Sequence, residues 1–148
     1  MPTDQPVPEP VPETEFERRH TAARSRRASA LVDDYVELIA DLSAAHGEAR
    51  VTDIARCLGV SHPTAIKFVA RLRRAGLASS RPYRGIFLTA AGAALAERAR
   101  ERHRLVVSLL RAVGVPPDAA ETDAEGIEHY VSDITLTAFR RFLDPQRD

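Results

Sequence analysis

The chain has 148 residues with 21 Lys or Arg against 21 Asp or Glu, so its formal net charge is zero. This balance excludes a uniformly basic nucleic-acid coat protein and an acidic solvating tail. The 44% of apolar residues is enough to form the hydrophobic core of one ordinary domain, or of a small domain with an elaborated end. The single cysteine, Cys57, excludes an internal disulfide and a thiolate-rich zinc site. No apolar run approaches the ~20 residues of a membrane span, so we expect a soluble, cytoplasmic protein.

The zero net charge is the sum of unequal blocks. Residues 31–49 carry five acids and no Lys or Arg, whereas residues 50–84 carry eight Lys or Arg against one Asp, a local charge of +7. Residues 85–111 carry five Arg against two Glu, and residues 112–148 carry three Arg against eight acids. Since clustered basic side chains attract phosphate groups, the block at 50–84 is a candidate phosphate-binding face.

The first predicted elements are a tail and a helical region. Residues 1–15 are rich in Pro and polar residues, which predicts a disordered tail. The segment from Phe16 to Arg27 has a helical composition. From Leu31 to Ala44, an apolar stripe with helical spacing predicts a helix, which carries a second stripe of carboxylates. The apolar stripe is Leu31, Tyr35, Leu38, Ile39 and Leu42, and the carboxylates are Asp34, Glu37 and Asp41.

A pair of short amphipathic helices follows over residues 51–77, separated by the turn LGVS. Ser61 is suited to cap the second helix, Pro63 to occupy its first turn and Gly76 to end it, a spacing typical of a helix-turn-helix. Residues 81–89 (RPYRGIFLT) predict a short hairpin, which we interpret as a wing.

A long helix is predicted after the wing, ending at Gly114 and Pro116. Residues 123–143 predict one more helical region, with apolar side chains available for a subunit interface. These are Tyr130, Ile134, Phe139, Phe142 and Leu143.

The second helix of the pair has two distinct faces. Ala65, Phe68, Val69 and Leu72 share the apolar face expected to meet the core. The opposite face is small, polar and basic at its N-terminal end, which suits the major groove, where Ile66 could contact thymine methyl groups. Tyr83 and Arg84 at the wing tip could contact the DNA backbone or minor groove. The predicted DNA-binding residues are Ser61, His62, Pro63, Thr64, Ile66, Lys67, Arg71, Tyr83 and Arg84. The alternative is that this face is merely a solvated basic surface of a helical bundle.

A second constellation combines carboxylates with imidazoles. Glu125, Glu128 and His129 are spaced to share one face of one helix, Asp34 and Glu37 form a second pair, and His103 lies on the long helix. Taken singly, each has an ordinary explanation as a solvated side chain. Together, six oxygen and nitrogen donors without thiolate suit a hard ion such as Mn²⁺, with Fe²⁺, Co²⁺ or Zn²⁺ as possible substitutes.

These residues resemble the diphtheria toxin repressor superfamily, and within it the short manganese transport regulators. The likeness rests on DDYVELI, ARVTDIARCLGVSHPTAIKFVARLRRAGL, YRGIFLT, ERHRLV and DAEGIEHYVS, in this order between about residues 31 and 142. The resemblance implies a mainly α fold, a winged helix-turn-helix followed by a helical dimerisation domain, in a homodimeric, metal-activated repressor. We therefore expect a two-domain protein without the third, SH3-like domain of the longer iron-responsive members.

The resemblance assigns metal binding to the same six residues: Asp34, Glu37, His103, Glu125, Glu128 and His129. Glu125 stands where the iron-responsive members use cysteine and Asp34 where they use methionine, which favours manganese. Two features depart from the pattern. Tyr130 replaces a second histidine common in the manganese regulators, and the Arg-bearing N-terminal extension could add DNA or protein contacts.

We therefore expect a DNA-binding domain over residues 16–95 and a metal-binding and dimerisation domain over residues 96–148. The expected function is Mn²⁺-dependent repression of metal-ion transport genes by a homodimer on a palindromic DNA operator, with one or two ions per subunit. We expect no membrane, no small-molecule substrate and no enzymatic activity. One alternative is a winged-helix regulator that responds to another metal or a small organic ligand, or that is constitutive, with the carboxylates as surface groups. The other is a metallohydrolase that activates water at the carboxylate and histidine cluster.

Overall fold

The computed structural model describes residues 13–144, a helical chain with one small two-stranded sheet. The elements are α1 Glu15–His46, α2 Val51–Leu58, α3 His62–Arg74, β1 Ala78–Ser80, β2 Ile86–Leu88, α4 Ala90–Ala112, α5 Pro117–Ile127 and α6 Asp133–Leu143. The predicted tail of residues 1–15 lies mostly outside the described residues, and it extends too far, since Glu15 is the first residue of α1. No helix within residues 13–144 is long and apolar enough to cross a bilayer.

α1 is one continuous helix of 32 residues, where the sequence suggested two helical segments. It begins with a capping box, in which Thr14 accepts from the Glu17 amide and Glu17 accepts from the Thr14 amide. The residues between the two predicted segments, 28–30, are Ala-Ser-Ala and contain no helix breaker, so the helix continues through them. It ends at Gly47, which takes the left-handed conformation with φ of 80°.

The predicted helix-turn-helix is present as α2 and α3. Ser61 caps α3 by accepting from the Thr64 amide, and Pro63 lies in the first turn, as expected. The wing is the antiparallel pair β1–β2, in which Ser79 lies opposite Phe87. Its first strand begins at residue 78, before the predicted segment.

Two hydrophobic clusters stabilise the fold. The first joins α1, α2, α3, the wing and the start of α4, and it includes the four α3 residues predicted to face the core. Leu31, by contrast, was predicted to belong to the apolar stripe of α1 but is 42% exposed, and Val36 is buried instead. The second cluster joins the C-terminal half of α4 to α5 and α6. The clusters share no residue, and α4 runs through both.

The C-terminal region forms two helices and not one. α5 ends at Ile127, and α6 begins after Ser132, whose hydroxyl accepts from the Thr135 amide. Because Ser132 supplies a new N-cap, the chain turns between the two helices. Glu128 is therefore the C-cap of α5 and His129 lies in the turn, so the prediction that Glu125, Glu128 and His129 share one face of one helix is wrong.

Candidate metal centre

The first group of candidate ligands joins α4 to α5. His103 Nδ1 lies 3.0 Å from Glu128 Oε2 and 3.6 Å from Glu125 Oε1. One donor atom from each of the three side chains falls within 4.8 Å of the others. Glu128 is only 2% exposed, whereas Glu125 is 70% exposed, so the group lies at the edge of the interior.

The buried atoms of this group lack hydrogen bonds. His103 Nδ1 and Glu128 Oε2 are both buried, and despite their 3.0 Å separation neither makes a well-aligned hydrogen bond within residues 13–144. The other ring nitrogen of His103, Nε2, is held by Glu121 Oε2 at 2.9 Å. Leaving buried polar atoms unpaired is costly, so the convergence of such atoms is an arrangement that a bound cation would satisfy.

A second group lies on the other side of Glu128. Glu128 Oε1 is 3.5 Å from His129 Nε2, and this nitrogen is 3.3 Å from Asp34 Oδ1 on α1. The two oxygens of Glu128 therefore face the two different histidines. Glu128 connects a group on α4 and α5 with a group on α1 and the turn after α5.

The carboxylate of Glu37, one turn beyond Asp34 on α1, makes no hydrogen bond or ion pair with any other described residue. Burial raises its pKa, and the carboxylate of Glu125 raises it further. Charged side chains of both groups, Glu125 of the first and His129 of the second, therefore act on the pKa of Glu37. All six predicted ligands lie in this one region of the structure.

The protonation tendencies of the site favour a cation. Burial raises the pKa of Glu128 to about 7, against the opposing effect of the two histidines, and burial also raises the pKa of Asp34. The pKa of His129 is raised mainly by its contact with Asp33. Burial lowers the pKa of His103, but the Glu121 hydrogen bond and the nearby carboxylates outweigh it, so the net shift is upward. The site thus gathers more negative charge than its environment can support, and a divalent cation would offset it.

Two residues of the centre were missed by sequence reasoning. Asp33 is buried, forms an ion pair with Arg102 of α4, and places Oδ2 3.8 Å from His129 Nδ1. Glu121 holds His103, and its position four residues before Glu125 on α5 was an available signal. For Asp33 the sequence signal was only its neighbour Asp34. Both carboxylates contact the histidine nitrogens that face away from the cluster, an arrangement that commonly orients histidine ligands.

The residues predicted to bind DNA all lie exposed on α3 and the wing. Lys67 and Ile66 project from α3, and the guanidinium of Arg71 lies 5.4 Å from the centre of the Phe68 ring. At the wing tip, Tyr83 is fully exposed and has a positive φ of 60°, which is unusual for a residue with a side chain. The solvent-facing side of α3 thus presents basic groups and the aliphatic side chain of Ile66. The wing adds an exposed tyrosine whose backbone φ is unusual.

Comparison with known proteins identifies two matching family profiles. Residues 28–86 match the N-terminal DNA-binding domain of iron-dependent repressors, and residues 89–148 match their metal-binding and dimerisation domain. The transcriptional regulator MntR of Escherichia coli O157:H7 is 48% identical over 141 residues, which cover 95% of this chain and 91% of that protein. The HTH-type transcriptional regulator MntR of Lysinibacillus sphaericus is 40% identical over 68% of this chain and 73% of its own.

The fold is also similar to solved structures. One is the manganese regulator SloR, which matches with a TM-score of 0.64 and 30% identity over 76% of this chain. The present chain covers 53% of SloR, about half its length. The apo form of the manganese-activated repressor ScaR has a TM-score of 0.67 at 28% identity, covering 75% of this chain and 53% of its own.

Proposed function

Because the chain belongs to the iron-dependent repressor family, we propose that it represses metal-ion transport genes in response to Mn²⁺. Its relatives are DNA-binding transcriptional regulators, so it is a regulator and not an enzyme. The observation that carries the proposal is the convergence of oxygen and nitrogen donors from α1, α4 and α5 around the buried Glu128. A repressor of this kind acts in the cytoplasm, where it meets DNA.

The ligands in this proposal are the six predicted residues, Asp34, Glu37, His103, Glu125, Glu128 and His129. Carboxylate oxygens and imidazole nitrogens, with no thiolate, suit Mn²⁺, and Fe²⁺, Co²⁺ or Zn²⁺ could bind the same donors. The bound cation supplies positive charge that keeps the carboxylates ionised. Glu128 presents one oxygen to each histidine, which supports a site for two ions per subunit.

DNA is bound by the helix-turn-helix and the wing in residues 16–95. α3 begins at an exposed N-terminus with Lys67 and Arg71 on the same solvent-facing side, so it can enter the major groove while the wing contacts the flanking backbone or minor groove. The homodimer forms through residues 96–148, where Tyr130, Ile134 and Phe142 are 48%, 84% and 61% exposed. A symmetric dimer of such domains reads a palindromic operator.

Metal binding couples the two parts of the chain. Asp34 and Glu37 lie on α1, which packs in the first hydrophobic cluster, whereas Glu125 and Glu128 lie on α5, which packs in the second. Without a cation, the clustered carboxylates repel each other across this boundary. With Mn²⁺ bound, these residues hold α1 and α5 in one relative position. The dimer therefore loses less conformational entropy when it binds DNA.

The proposal is tested by titrating Mn²⁺ into the protein together with labelled duplexes carrying the promoters of metal-transport genes. We expect DNA binding that requires Mn²⁺ and is lost with a chelator. Equal DNA affinity in Mn²⁺ and in chelator would refute the proposal. Asp34→Ala should abolish the metal response and leave the dimer intact, because Asp34 contacts His129 Nε2 and is 47% exposed. A full metal response in Asp34→Ala would remove this residue from the site.

A further inference from the structure

The N-terminal part of α1 carries an unusual concentration of positive charge. We call residues 18–27 the arginine arm, since they contain five arginines and no acid. Every residue of the arm is exposed except Ala23, which is partly buried. Its arginines are Arg18, Arg19, Arg24, Arg26 and Arg27.

The arginines of the arm have no acidic partner within residues 13–144. Some arginines elsewhere do have such partners, as in the pairs Arg56–Asp53 and Arg100–Asp41. The carboxylate of Glu17, just before the arm, is engaged with Thr14 at the helix cap. Five like charges over about 14 Å of helix repel one another, so a polyanionic partner would stabilise the arm.

The arm is rigidly joined to the DNA-binding domain. It is continuous with the buried part of α1, which starts at Ala30, and there is no break in the helix up to His46. Five residues after Ala30, Tyr35 stacks on Phe68 of α3 with ring centroids 4.1 Å apart. The arm is therefore fixed in direction relative to α3, the helix proposed to enter the major groove.

We propose that the arginine arm is a second DNA-binding surface, which contacts backbone phosphates outside the segment read by α3 and the wing. This inference rests on the proposed function, because it assumes that the protein binds DNA. Arg19 and Arg26 lie two turns apart on one face of the helix, and Arg24 and Arg27 lie one turn apart on a neighbouring face. Either face presents two guanidinium groups to phosphates, and such contacts add affinity without reading sequence.

The experiment compares three double variants of the full chain. Arg19→Gln with Arg26→Gln and Arg24→Gln with Arg27→Gln each neutralise one face of the arm. The control, Arg111→Gln with Arg140→Gln, removes the same charge from exposed arginines of α4 and α6. Glutamine is a good helix former, so helicity measured by circular dichroism should be unchanged in all three.

DNA affinity is measured at several salt concentrations with Mn²⁺ present. The probes are a 40-base-pair duplex selected from a random library for binding to the wild-type protein and an unselected duplex of the same length. We expect at least one arm variant to lose tenfold or more in affinity on both duplexes. Because each variant removes two arginines from each subunit of the bound dimer, its log–log salt slope should fall by roughly 3 to 4, about 0.9 for each of four lost phosphate contacts. The Mn²⁺ response and the preference for the selected duplex should remain.

Three outcomes would overturn the inference. In the first, both arm variants behave like the control pair. In the second, an arm variant loses preference for the selected duplex, which would mean that the arm reads bases. In the third, an arm variant changes the oligomeric state in gel filtration, which would make the arm an interface between copies. If wild-type protein itself shows no Mn²⁺-dependent binding, the proposed function fails instead, and the two failures are thus distinguishable.

Discussion

Replacing Asp33 by asparagine tests how the metal centre is held in shape. Asp33 is buried and lies between Arg102 of α4 and His129, with Oδ2 3.8 Å from His129 Nδ1. Asparagine has nearly the same size but no charge. We expect the substitution to leave the six ligands in place and to weaken Mn²⁺ binding mainly through His129.

The magnitude follows from two opposing effects. Loss of a carboxylate that orients a histidine ligand costs about 10–100-fold in metal affinity, and the 3.8 Å separation, longer than a hydrogen bond, places the loss near tenfold. Asp33 also raises the pKa of His129, so it favours the protonated imidazole that competes with a metal. Its removal eases this competition at low pH. The loss should therefore be about tenfold at pH 8 and smaller at pH 6.5.

The assay is Mn²⁺ binding by isothermal calorimetry at both pH values, with Asp41→Asn as the matched control. Asp41 also joins α1 to an arginine of α4, Arg100, but it is 66% exposed and contacts neither histidine. Urea unfolding of the metal-free variants separates folding from binding. We expect the free energy of unfolding to fall by about 1–3 kcal/mol for Asp33→Asn, because Arg102 is left without its charged partner. For Asp41→Asn the fall should be under about 1 kcal/mol. Equal Mn²⁺ affinity of the two variants at pH 8, or a larger loss for Asp33→Asn at pH 6.5, would refute the reasoning.

Three further predictions concern pH, packing and the wing. Because the pKa of Glu128 is raised to about 7, Mn²⁺ affinity should rise from pH 6 to 8, with proton release that declines above pH 8 in calorimetry using two buffers. In the metal-free protein, the same raised pKa stabilises the fold below about pH 4.5, and this contribution is lost as the pH rises through 7. Gly92→Ala should destabilise the fold by about 2 kcal/mol or more in urea, since its Cβ would lie 2.0 Å from the Leu77 carbonyl oxygen, whereas Gly126→Ala, which meets nothing within 4 Å, should stabilise α5 by roughly 0.5–1 kcal/mol. Tyr83→Gly should keep or raise stability, because it relieves the positive φ, yet weaken DNA binding in a fluorescence anisotropy assay; unchanged DNA affinity would exclude Tyr83 from the interface.

The sequence predicts the DNA-binding part of the fold well because its signals are local. The apolar spacing of α3, the cap at Ser61 and the short wing are all encoded within a few residues, and each is found where expected or nearly so. The sequence did not predict that the C-terminal region divides into α5 and α6, because here the local signals conflict. Its helical periodicity continues through residues 128–132, and only the competing cap at Ser132 decides that a new helix starts there.

The metal centre could be predicted only in part, because its geometry depends on contacts between helices. Residue chemistry and family resemblance together select the six candidate ligands. They do not reveal which nitrogen of each histidine faces the cluster, since this depends on Glu121 and Asp33, which reach the rings from α5 and α1. The pairing of Asp33 with Arg102 likewise exists only once α1 packs on α4. The spacing of residues along one helix does not predict such contacts between helices.

The position of the centre also explains how a chain of zero net charge can bind DNA. Four of its 21 acids are the proposed carboxylate ligands, and their charge is offset when a divalent ion binds. An Mn²⁺ held between Asp34 and His129, as proposed, would add two positive charges beside α1, the helix that stacks on α3 through Tyr35 and continues into the arginine arm. In the proposed mechanism, metal loading would therefore shift the charge balance near the DNA-binding domain, in addition to fixing its geometry. The two effects are separable, because the charge contribution weakens with added salt and the geometric one does not.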